Sequence, residues 1–135
     1  MSEDHTARLG SLVERLTVTG LILADLFHRL PLPVSVLSRP GGTLGALDAD
    51  DLINAAEIIV DMPGVPEAVV EELHQAAWLW VCAAYLTDAF RTGRDDNPGL
   101  CAAFLQIHCG LALKTAKAAI DAMPAAGDRP PGEFR

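Results

Sequence analysis

The stretch PEAVVEELHQAAWLWVCAAYLTDAFRT, residues 66–92, decides the fold. Val69, Leu73, Ala76, Trp80, Ala83 and Phe90 recur in it at near-heptad spacing, the period of a helix that buries one face. Pro66 suits the first helical position, Arg91 the last turn and Gly93 the C′ position beyond it. From Ala76 to Leu86 the sequence is apolar without a break, so the second half of this helix has little polar surface. Such a segment has to be wrapped on more than one side. Trp80 falls on the core stripe, whereas Trp78 and Tyr85 point elsewhere. The first helix, the Pro/Gly-rich loop, an apolar ligand or a second copy of the chain could cover them.

Upstream, Pro63-Gly64-Val65-Pro66 stops one helix and starts the next, which makes the two antiparallel neighbours. The preceding helix starts at Asp48 as N-cap, with Asp50 and Asp51 in its first turn and Leu47 and Leu52 spaced as a hydrophobic staple, and it ends by Met62. Downstream, Asn97-Pro98 reads as N-cap and N1 of a fourth helix that stops before Pro124. Leu100, Phe104, Ile107, Leu111 and Ala118 are expected to form its apolar, core-facing stripe, with Gln106, Gly110, Lys114, Lys117 and Asp121 opposite.

At the other end of the chain, Leu9, Leu12, Leu16, Leu23, Phe27 and Leu30 predict a helix over about residues 6–30. Thr17-Val18-Thr19-Gly20 is its weak point, and a break near Gly20 would raise the count to five helices. Pro31, Pro33 and Pro40 with Gly41, Gly42 and Gly45 exclude regular helix up to Leu47. With no alternating strand pattern, the expectation is an all-α four-helix bundle. Residues 1–124 form one domain, helices one and two are joined by a long Pro/Gly-rich connection, and 125–135 is a polar Pro/Gly-containing tail.

The 135 residues suit one core. Eighteen Asp and Glu against ten Lys and Arg give a net charge of −8, which argues against nucleic acid or an anionic membrane surface as partner. Nine of those acids and no Lys or Arg lie between Pro40 and Phe90. They read as a solvated exterior and helix-start charges rather than a cation site. The longest stretch free of charged residues, Asn97–Leu113, contains Gln106, His108 and Gly110 and falls short of a bilayer span. Cys82, Cys101 and Cys109 are too few for a disulfide framework, and the acidic N-terminus is no export signal, so a cytoplasmic location is expected.

Chemistry-bearing residues are sparse. Asp25 with His28, and Glu71 with His74, each set a carboxylate and an imidazole three positions apart, as carboxylate-bridged di-metal bundles do. Glu57, Asp61 and Asp121 are candidate further ligands. Glu71 and His74 nevertheless lie on the polar side of their helix, so solvated pairs are the preferred reading and no cofactor is expected. His108 shares a mainly apolar side of the fourth helix with Cys101, Leu105 and Ala112. That side predicts a half-buried His108, preferred as a structural histidine hydrogen-bonded within the bundle; a ligand pocket there would instead draw on Cys82, Trp78 and Tyr85 across the bundle. Cys101 and His108 are two turns apart, about 10 Å along the axis, and cannot hold one ion by themselves.

No phosphate-binding loop, His-Glu-x-x-His or nucleophile elbow is present; Gly41-Gly42-Thr43-Leu44-Gly45 lacks the Lys and the flanking strand. The leading expectation is therefore a non-catalytic, homodimeric interaction or regulatory module whose partner is itself or another protein. A small-ligand or metal-binding bundle with an interhelical pocket near His108, as an enzyme or not, is the alternative.

Overall fold

A computed structural model describes residues 3–30 and 49–123. Four helices run through them: α1 Glu3–His28, α2 Ala49–Val60, α3 Glu67–Thr92 and α4 Asn97–Asp121. The fold is an all-α four-helix bundle. The Asp48 cap, the Leu47 staple, the Pro/Gly-rich connection and the 125–135 tail lie outside the described residues.

The alternative break near Gly20 is absent, and the five-helix count falls with it: α1 is one continuous helix, as the four-helix expectation requires. Trp80 supplies the reason. Its indole Nε1 donates a hydrogen bond to the Leu16 carbonyl at 2.9 Å, and a Cβ at Gly20 would stand 3.0–3.1 Å from the same ring. Tertiary packing on a residue without a side chain outweighs the weak local propensity of Thr17–Gly20.

α3 and α4 pack most extensively, α1 lies against both, and α2 packs on α3. Contacts fix the directions. Phe90 sits on Gly99 and the Cys109 thiol lies 3.4 Å from the Ala76 carbonyl, so α3 and α4 are antiparallel. Gln106 meets Leu12 and Asp121 meets Arg29, so α1 runs parallel to α4. The main core draws on all four helices, with Leu23 and Phe27, Leu52 and Ile59, Val69 and Leu73, and Cys109 and Leu113 among its members. Leu12, Phe90 and Ala102 form a second cluster at the far end.

The α3 stripe lies where its spacing predicted: Val69, Leu73, Ala76, Ala83 and Phe90 are buried and Trp80 is half-buried. Two ends differ. Gly93 is extended at φ −97° and not left-handed; a Cβ there would come within 2.8 Å of the Ala89 carbonyl. Asp96 occupies the cap position of α4, and the Asp95 carboxylate accepts the Asn97 N–H at 3.0 Å.

α4 is the main correction. Its buried residues are Gly99, Ala102, Gln106, Cys109, Ala112, Leu113, Ala116 and Ile120, whereas Leu100, Phe104, Ile107 and Leu111 are exposed. Another face is inside, and of the residues expected opposite the stripe Gln106 is buried while Lys114, Lys117 and Asp121 are exposed. The cause is close approach: Ala76 and Ala77 of α3 share the core with Cys109, Ala112 and Ala116 of α4, and small residues allow backbones to near one another where Leu and Phe would hold them apart.

Candidate functional site

The expected pocket residues do not converge on a cavity. His108 is exposed rather than half-buried, because it follows the inverted face of α4; its ring rests on Phe104 with centroids 4.4 Å apart. Cys82 and Cys101 are exposed and Cys109 is buried. Burial pushes the Cys109 thiol up to about 12, which leaves it protonated and unreactive at neutral pH. Trp78 and Tyr85 stay exposed, Tyr85 to 73%.

The four candidate metal residues take other partners or none. Asp25 pairs with Arg29 at 3.1 Å, and His74 Nε2 lies 3.1 Å from a Glu57 carboxylate oxygen. Glu71 is exposed, and His28 is half-buried with its Nε2 unpartnered among the described residues. No group of three or more His, Cys, Asp or Glu that could hold a metal ion is brought together among those residues.

Two features carry more weight. The first is the outer face of α4, where Leu100, Phe104, Ile107 and Leu111 are 61, 62, 57 and 55% exposed. Their spacing of four, three and four is that of heptad d and a positions, so they form one straight seam directed away from the core. By length and composition α4 could also cross a membrane, although 39% of its most apolar window is buried against the other helices.

The second feature is a groove of about 370 Å³ between α1 and α4, lined by Ser11, Glu14, Arg15, Val18, Thr19, Gln106 and Ile107. Gln106 lies at its base, 6% exposed. Its amide nitrogen donates to the Leu12 carbonyl at 3.0 Å, while its Oε1 is buried without a hydrogen-bond partner among the described residues. Ser11 and Arg15 continue into a smaller, more apolar hollow of about 190 Å³ over Leu12, Phe90 and Ala103. Sequence reasoning assigned Gln106 to solvent and so missed the groove. A polar residue flanked by Ala102, Ala103 and Cys109 was the available signal.

No protein-family model, no curated protein and no solved structure matches this chain.

Proposed function

We propose that this chain is a non-catalytic interaction module that works through self-association, as a homodimer in the cytoplasm. The observation that supports it most directly is the exposed seam of Leu100, Phe104, Ile107 and Leu111 on α4. Soluble monomers rarely leave so much aligned apolar surface uncovered, and covering it with a second copy is the commonest solution for a small bundle. Three free cysteines suit a reducing compartment. Sedimentation velocity from 1 to 200 μM tests the reading. A dimer of twice 14.3 kDa is expected, and a strict monomer throughout with no bound partner rejects it.

A second reading, the small-ligand bundle, has its own support in the orphaned Oε1 of Gln106. A buried acceptor without a donor costs about 1–3 kcal/mol, and a turn of the amide toward the groove would let a ligand hydroxyl or amide satisfy it beside Ser11, Arg15 and Thr19. NMR titration with small hydroxy acids and amides tests this. Shifts confined to those residues and lost in Gln106→Leu support it; no shift at millimolar ligand rejects it.

A further inference from the structure

We infer that the dimer closes through α4 against α4 of a second copy, antiparallel, with Leu100 against Leu111 of the second copy and Phe104 against its Ile107. The inference rests on the self-association proposed above and names the surface and direction that would carry it.

The face is self-complementary. Four apolar residues at d, a, d and a positions pair d-to-a when the helix is turned end for end, the layer pattern of antiparallel helix pairs. No Asp, Glu, Lys or Arg occurs between Asn97 and Leu113, so the α4 seam itself has no charge to desolvate, and the nearest α1 charges, Glu14 and Arg15, line the groove beside Ile107. The four side chains offer on the order of 400 Å² of apolar surface, about half of the ~800 Å² per partner in a standard stable interface. Val18 adds to this where it lines the α1–α4 groove beside Ile107.

Charge selects the direction. The next seam position after Leu111 is Lys114, exposed and without an ion pair among the described residues. Parallel pairing would set Lys114 against Lys114 of the second copy, a like-charge contact at the seam. Antiparallel pairing sets it against Asn97, and brings Asp96, at the start of one α4, close to Lys117 near the end of the other, a lysine that also pairs with Asp121 of its own chain at 2.7 Å. The two helix dipoles then oppose as well.

Sedimentation equilibrium with two charge insertions tests the surface. Phe104 and Tyr85 are both exposed, so Phe104→Glu and Tyr85→Glu should each keep the wild-type helical circular dichroism. Phe104→Glu is expected to weaken dimerisation at least 100-fold and Tyr85→Glu to change it less than 3-fold. A wild-type dimer that survives Phe104→Glu but is lost in Tyr85→Glu overturns this seam and leaves self-association standing. A wild-type chain that stays monomeric, including one that sediments with neutral phospholipid vesicles instead, overturns both.

Cross-linking tests the direction. In a Cys82→Ser background, antiparallel pairing holds the two Cys101 residues about 13 Å apart along the axis and brings Cys101 near position 108 of the second copy. A short bis-maleimide should therefore cross-link the dimer efficiently only when His108→Cys is added. Efficient cross-linking through Cys101 alone establishes the parallel arrangement and overturns the proposal.

Discussion

Trp80 and Gly20 act as one unit. The indole reaches α1 only because residue 20 has no side chain, and its hydrogen bond to Leu16 ties α1 to α3 at mid-length. Trp80→Phe should keep most of the packing and lose the bond, costing about 1 kcal/mol. Trp80→Ala should cost about 3 kcal/mol or more, because the ring leaves a cavity. Gly20→Leu should cost about 1–3 kcal/mol by overpacking, and markedly less in a Trp80→Ala background where the space is free; urea denaturation of the full cycle measures that coupling. Cys109 yields a reactivity prediction. Maleimide should label Cys82 and Cys101 in the folded chain and reach Cys109 only on unfolding. Because folding raises the Cys109 pKa, its contribution is complete below the ordinary thiol value of 9.0 and declines as pH climbs toward 12, by at most about 1.4 kcal/mol per pH unit.

Among the elements, α3 was legible and α4 was not, for one physical reason. Periodicity locates a stripe of large apolar residues, and on α3 that stripe is the core: Val69, Leu73 and Phe90 are all buried. On α4 the core stripe up to Ala112 is Gly99, Ala102, Gln106, Cys109 and Ala112, which carry little hydrophobic signal, and only Leu113 and Ile120 near its end are large and apolar, while Leu100, Phe104, Ile107 and Leu111 look outward. Side-chain volume was read as burial. His108 and Gln106 were then misplaced together, since two positions on a helix lie 200° apart. On α3, by contrast, Glu67, Glu71 and Gln75 are exposed as expected and His74 is half-buried. The His74–Glu57 pair joins α2 to α3 at the surface, so His74→Ala should change stability by less than about 1 kcal/mol in thermal melts. At the other end, Lys117 first and Arg29 second hold the exposed Asp121 carboxyl below the usual carboxylate range. The support it gives to the α1 and α4 ends is present at neutral pH and fades as pH falls through the acid range.

At the scale of the whole molecule, charge and apolar surface are segregated. Among the described residues, the acids of α2 and α3 are exposed, apart from Asp51 and Glu72, which are half-buried. The α4 seam is uncharged over four turns. Two copies at −8 each repel at long range while the seam attracts at contact, and salt acts on these two contributions unequally. Raising ionic strength from 0.01 to 0.15 M shortens the screening length from about 30 to about 8 Å, which removes most of the repulsion and leaves hydrophobic burial untouched. Only the Asp96–Lys117 contacts at the rim would weaken, and exposed pairs of that kind contribute less than about 1 kcal/mol each. Dimerisation should therefore tighten with salt, and the melting temperature should rise with protein concentration at every salt level. Association that instead weakens steadily between 0.01 and 0.5 M NaCl, followed by sedimentation equilibrium, would identify a contact in which opposite charges meet and would take the interface away from the uncharged seam of α4.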